Sequence, residues 1–124
     1  MCGKVQLDRF IMVREQSSLI RVEWQPKIDV TAEDAETLIG RLGELSPNEC
    51  PPMLAHLNGM ASLSRDAFRT FAGSLNVSAL ALVGPSRVDR LIASFFLNVH
   101  NPRYPSRHFE EPAEARHWLL RPFR

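Results

Sequence analysis

The sequence predicts an α/β fold: a mixed five-stranded sheet with an antiparallel N-terminal hairpin and four helices, in the order ββαβαβαβα. Three observations carry this. Ile20, Val22 and Trp24 alternate with Arg21 and Glu23, the period-two pattern of a strand with one buried and one wet face. Residues 53–57 and 79–83 are nearly all apolar, as strands covered on both faces are. Between and beyond them run segments whose apolar residues recur at helical spacing behind a capping residue. Strands alternating with helices imply parallel neighbours joined by crossovers.

The elements follow in order. Residues 7–13 and 18–24 are strand-like, and the short polar link Arg14-Glu15-Gln16-Ser17 makes them a hairpin. Thr31 with Asp34 forms a capping-box pattern, and Ala32, Ala35, Leu38, Ile39, Leu42 and Leu45 share one side of the helix it opens. Asn48-Glu49-Cys50-Pro51-Pro52 ends that helix. After the strand at 53–57, residues 58–63 read as a loop, and Ser64 caps a helix that buries Ala67, Phe68, Phe71 and Leu75. Beyond residues 79–83, Gly84-Pro85-Ser86 turns the chain, and Ser86 with Asp89 makes a second capping box. Val88, Leu91, Ile92, Phe95 and Val99 are then expected on the core face of the third helix. The stiff segment Asn101-Pro102-Arg103-Tyr104-Pro105 leads to a short strand at 107–109. Pro112, suited to a first helical turn, opens a last helix burying Ala115, Trp118 and Leu119.

A chain of 124 residues suits one domain spanning 1–124. Its 44% hydrophobic and 23% charged content is that of an ordinary globular protein. No apolar run approaches the roughly 20 residues of a membrane span, and Met1-Cys2-Gly3-Lys4-Val5 lacks the apolar core of a secretory signal. A cytoplasmic protein without a membrane span is the expectation, with Cys2 and Cys50 as reduced thiols. Residues 1–62 carry a net charge of −3 and residues 63–124 a net charge of +4, a polarity too small to imply nucleic acid. Arg103, Arg107, Arg116, Arg121 and Arg124 are interleaved with aromatic residues, but three glutamates dilute them and the core needs Phe109 and Trp118. No nucleic-acid partner is expected.

Within this frame Phe95-Phe96-Leu97, Pro102, Tyr104-Pro105-Ser106-Arg107, Phe109, Glu114-Ala115 and Trp118-Leu119 resemble an uncharacterised bacterial branch of STAS-like (anti-sigma-factor antagonist, or SEC14-like) domains. Ser64-Arg65-Asp66-Ala67-Phe68-Arg69 looks like that branch's second helix. The detailed likeness covers the C-terminal half, and the N-terminal half agrees in element order. The resemblance implies a STAS-like fold acting through protein contacts, in some members switched by serine phosphorylation, with others binding small ligands. The antagonists' Asp-Ser-Ser/Thr-Gly motif is absent, and the corresponding stretch reads Asn58-Gly59-Met60-Ala61-Ser62-Leu63-Ser64-Arg65. Ser64 is the nearest positional equivalent and the candidate phosphorylation site, where a phosphate would lie at a helix start beside Arg65.

Nothing in the sequence specifies catalysis. Cys50 would need a nearby base and lies before its strand, at the end opposite the expected ligand face. Ser62 or Ser64 would need a His–acid pair, Ser64 lacks a nucleophile-elbow context, and no carboxylate pair spans a cleft. His56, His100, His108 and His117 show no metal-ligand spacing, so neither a metal nor a cofactor is expected. In open α/β sheets ligands sit beyond the carboxyl ends of the parallel strands. Residues 58–64, 84–87 and 110–112 should meet there, with Ser62, Ser64, Arg65, Arg69, Ser86 and Arg87 as anion or partner contacts. Phe96, Leu97 and Tyr104 are expected to form an exposed interface patch. The expected function is a non-enzymatic interaction or regulatory domain, forming a homodimer or meeting a regulatory protein partner. The alternative is a carrier of a small anionic or apolar ligand at the carboxyl end of the sheet.

Overall fold

The computed structural model describes the backbone of residues 4–6 and the whole of residues 9–121. Cys2, the start of the expected first strand at Leu7, and the C-terminal Arg124 lie outside the described residues.

The N-terminal hairpin forms from β2 (Phe10–Arg14) and β3 (Ile20–Trp24), antiparallel and in register from Phe10 opposite Trp24 to Arg14 opposite Ile20. Its turn is closed by the Ser18 amide donating to Glu15 O at 3.0 Å, with Ser18 at φ 65°. β5 (Pro52–His56) adds parallel to β3, β7 (Ala79–Val83) parallel to β5, and β8 (Ser106–Phe109) parallel to β7. These five strands are the expected mixed sheet. A sixth, β1 (Lys4–Gln6), pairs antiparallel along the outer edge of β2. A separate parallel pair joins β4 (Asp29–Val30) with β6 (Ser62–Leu63), the latter inside the stretch 58–63 expected as loop.

Alternation along the central strands builds two cores. Ile20, Val22 and Trp24 of β3, Met53 and Ala55 of β5, and Leu80 and Leu82 of β7 face one way. They meet α1 (Ala32–Leu45), α2 (Arg65–Ser74) and the buried residues of α3 (Arg87–Phe95). Leu19, Leu54, Ala79, Ala81 and Val83 face the other way, onto Ala115, Trp118 and Leu119 of α4 (Pro112–Leu119). Both faces of β5 and β7 are therefore covered, which is why their sequences do not alternate.

The helix starts follow local chemistry. Thr31 and Asp34 form the full capping box, with Asp34 N donating to Thr31 Oγ1 at 3.2 Å and Thr31 N to Asp34 Oδ2 at 2.9 Å. Ser64 Oγ accepts from Ala67 N at 3.1 Å, and Ser86 Oγ from Asp89 N at 3.0 Å. Pro112 occupies the first turn of α4.

The third helix departs from expectation. Of the five residues expected on its core face, Ile92 packs against the core, but Val88, Leu91, Phe95 and Val99 are exposed, while Asp89, Ala93 and Phe96 are buried. The cause is the Asp89 side chain. It does not complete a capping box with Ser86; both its oxygens lie 3.2 Å from the Gly59 amide nitrogen, which donates to it. Asp89 also packs directly on Gly84, where an added Cβ would lie 2.5 Å from Asp89 Cβ. With Asp89 turned inward, Ala93 and Phe96 follow it at i+4 and i+7, and the neighbouring apolar row is rolled outward. α3 runs on into a π-helical turn (Phe96–His100) that ends at Asn101, with φ 48°.

Candidate functional site

Two places on this frame have the makings of a site. The first is an open cleft at the carboxyl ends of the parallel strands. The three expected segments do meet there, through Asn58 and Gly59, Gly84 to Ser86, and Glu110 to Pro112. The Asn58 side chain donates from Nδ2 to Trp24 O at 2.9 Å, and Asn58 and Gly59 both take positive φ, 55° and 70°. His108 on β8 ties the opposite wall together, its Nε2 lying 2.8 Å from Gly84 O.

Of the six expected contact residues, only Ser86 lines this cleft. Ser62 lies in β6, where its hydroxyl donates to Asp29 Oδ1 at 2.6 Å. Ser64 is exposed and caps α2, and Arg65 and Arg69 are exposed on that helix. Arg87 is exposed at the start of α3. The cleft is instead lined by carboxylates, Asp89, Glu110 and Glu111, and its Gly59 amide is already engaged by Asp89. Those charges disfavour an anion.

His56, at the end of β5, also reaches the cleft. Burial holds its imidazole below the usual range, partly offset by the Glu23 carboxylate. Further along that face of the sheet, Arg116 of α4 makes a two-pronged contact with Glu15 in the hairpin turn, 101 residues away, with Nη2 to Oε2 at 2.8 Å. This hydrogen-bonded pairing outweighs the effect of burial and holds the Glu15 carboxyl below its ordinary range. Among the described residues no group of three or more His, Cys, Asp or Glu side chains is arranged to hold a metal ion.

The second place is the outward face of α3. Val88, Leu91, Phe95 and Val99 stand 44, 63, 47 and 59% exposed in a single row. The row abuts α2 through Phe68, whose ring lies 5.1 Å from Phe95 and stacks on His100 at 4.9 Å with 5° between the planes.

The expected interface patch lies elsewhere and is closed. Phe96 is 3% exposed and belongs to the core, and Leu97 is half-buried against it. Tyr104 is buried, its hydroxyl donating to Phe71 O at 2.6 Å, and burial pushes its phenol well above the ordinary range. The helical reading that turned Leu97 away from the core and set Phe96 at its margin assumed that Val88 and Phe95 pointed into it, and the roll set by Asp89 reverses that assumption.

Between the sheet and the three helices lies a small apolar cavity of about 50 Å³, bordered by Trp24, Met53, Ala55, Met60, Phe71 and Phe96 among others. Cavities that take up benzene are nearer about 150 Å³.

The six-stranded sheet with three helices on one face and one on the other has a solved counterpart. An uncharacterised protein from the DUF3478 family of Shewanella loihica PV-4, described as having a SpoIIAA-like fold, superposes with a TM-score of 0.61. It is 16% identical over 90% of this chain and 92% of its own. The fold is thus SpoIIAA-like, within the STAS-like class that the sequence resembles. A model of the DUF7793 family, a domain of unknown function, matches residues 12–122, and the chain belongs to that family. A protein of unknown function from Arthrobacter sp. FB24 is 27% identical over 94% of this chain and 96% of its own, with a TM-score of 0.36. No curated protein matches. Among the described residues no helix is long and apolar enough to cross a membrane.

Proposed function

We propose that the protein is a non-enzymatic interaction domain, regulatory in role, that binds a protein partner through the outward face of α3. The observation that carries this reading is the exposed row Val88, Leu91, Phe95 and Val99. Apolar side chains held in water in one contiguous row gain free energy when covered, about 25 cal/mol for each Å² removed from solvent. A SpoIIAA-like frame suits regulation in a general way and contributes the fold alone. The expected homodimer loses the patch that suggested it, because Phe96 and Tyr104 are buried. A second copy would have to use the α3 row instead. The carrier alternative has less support, since the cleft is open and acidic and the core cavity is small.

A photocrosslinking residue in place of Leu91, in cells that naturally make the protein, tests this. Discrete adducts of higher mass are expected from position 91 and none from exposed Glu36 on α1. An adduct at twice the chain's mass identifies a second copy as the occupant. Absence of any adduct from position 91 removes the reading.

A further inference from the structure

Resting on the reading that the α3 face is a docking surface, we infer that its partner is an acidic amphipathic helix. Its apolar side would seat on Val88, Leu91, Phe95 and Val99, and carboxylates along its two edges would meet Arg87 on one side and Arg65 and Arg69 on the other.

The shape of the surface comes first. Val88, Leu91 and Phe95 follow one another at i, i+3 and i+7 over roughly 10 Å of α3, and Val99 extends the row into the π-helical turn. A row of that width is complementary to the apolar stripe of one helix, whose own anchors recur at i, i+3, i+4 and i+7.

Charge then selects among helices. Arg87 directly precedes Val88, is exposed, and among the described residues its side chain makes no ion pair or hydrogen bond. On α2, Arg65 lies three residues before Phe68 and Arg69 three before Ala72, so both stand toward the flank of α2 from which Phe68 reaches Phe95. Arg65 likewise has no ionic partner among the described residues. Arg69 meets Asp66 only at 3.8 Å, with the two side chains 66% and 73% exposed, a pairing of little strength in water. Asp66 is the single acid of α2, and Asp89, the single acid of α3, is buried against Gly59. The apolar row is thus edged by guanidinium groups, and the nearby Glu110 is already paired with Arg90 of α3 at 3.1 Å.

This argues against the other occupants. A two-fold pairing with a second copy sets one arginine-edged row against another, with only Asp66 and the already paired Glu110 of each copy to offset the repulsion. An anionic membrane is matched by clusters of about four to eight basic residues, and of the four arginines on α2 and α3 Arg90 is already paired with Glu110, leaving three.

The test is a display library of helical peptides with apolar residues fixed along one stripe and the flanking positions varied among Glu, Gln and Lys. It is selected on the wild-type protein and counter-selected on the Leu91→Asp variant. Enrichment of Glu on both flanks is expected. The selected peptide should lose about tenfold in affinity by fluorescence anisotropy with Arg65→Glu or Arg87→Glu. Exchanging its Glu for Lys should restore binding to those variants. Enrichment of Gln or Lys, or indifference to both arginine substitutions, overturns the inference. So does a dimer by sedimentation that Leu91→Asp converts to monomer, or Leu91-dependent binding to phosphatidylserine vesicles in place of peptide. If no peptide is enriched while the crosslink from position 91 still forms, the docking surface stands and the acidic helix does not. If neither depends on Leu91, the docking reading itself fails. Circular dichroism of each variant checks the fold, which these exposed positions should leave intact.

Discussion

Both carboxylate oxygens of Asp89 lie 3.2 Å from the amide nitrogen of Gly59, so a fully buried acid on α3 holds the loop that follows β5. The two residues are 30 apart in sequence. Their contact sets the roll of α3, because a carboxylate committed to Gly59 and packed on Gly84 carries Ala93 and Phe96 into the core behind it. The exposed row is a consequence of that roll.

Asp89→Ala should therefore leave the Gly59 amide without an acceptor and destabilise the fold by about 1–3 kcal/mol. Asp89→Asn keeps a carbonyl oxygen in place and should lose less. Urea denaturation measures both. An Asp89→Ala variant as stable as the wild type would mean that this hydrogen bond does not seat the helix.

The roll predicts opposite outcomes at two nearby positions. Leu91→Gln, on the outward face, should change stability by no more than about 0.5 kcal/mol. Ala93→Gln forces a long polar side chain into a site with no exposure and should cost at least about 1–3 kcal/mol. Were the sequence-expected face the buried one, Leu91→Gln would be the damaging change, and thermal melts distinguish the two cases.

Two alanines on opposite faces of the sheet should respond differently to enlargement. Ala55 borders the cavity of about 50 Å³, so Ala55→Val fills empty space with a residue suited to a strand. It should raise stability by about 0.5–1 kcal/mol. Ala81 is fully buried on the α4 side, and Ala81→Val should lower stability by about 1–3 kcal/mol. Equal effects at the two positions would contradict the placement of the cavity.

Tyr104 is the single tyrosine, so its ionisation can be followed by ultraviolet absorbance without interference from another phenol. Burial raises its pKa above the ordinary value of 10.0. The unfolded chain then loses its proton first as pH rises, so the stability associated with this group is complete below pH 10 and declines above it. Phenolate absorbance should appear only as the protein unfolds in alkali. A reversible titration near pH 10 with the fold intact would place the hydroxyl in solvent. Tyr104→Phe should cost about 1 kcal/mol through loss of the bond to Phe71 O.

Much of the fold was legible before any coordinates. The alternation of Ile20, Val22 and Trp24, the continuous apolar run Ala79–Val83, and the caps at Thr31 and Ser64 appear as read, while Ser86 caps α3 without the box expected with Asp89. β1 and the β4–β6 pair were not legible, because strands of two or three residues carry no period and exist only through their partners. The candidate site was less legible still. Asp89 three residues after Ser86 reads as the second half of a capping box, and the one hint of another role was Gly84 two residues before the cap. Gly84 is a position with no room for a Cβ beside Asp89.

The sequence by itself determined which segments become strands and helices, since those choices rest on period, capping and turn chemistry within a few residues. It also determined that α3 has a strongly apolar side. Only the tertiary structure decided where that side points. The amide of Gly59 and the close approach at Gly84 come from segments outside α3, and they draw Asp89 inward in place of the neighbouring row. An amphipathic pattern specifies a face, but contacts made across the fold choose whether the core or the solvent receives it.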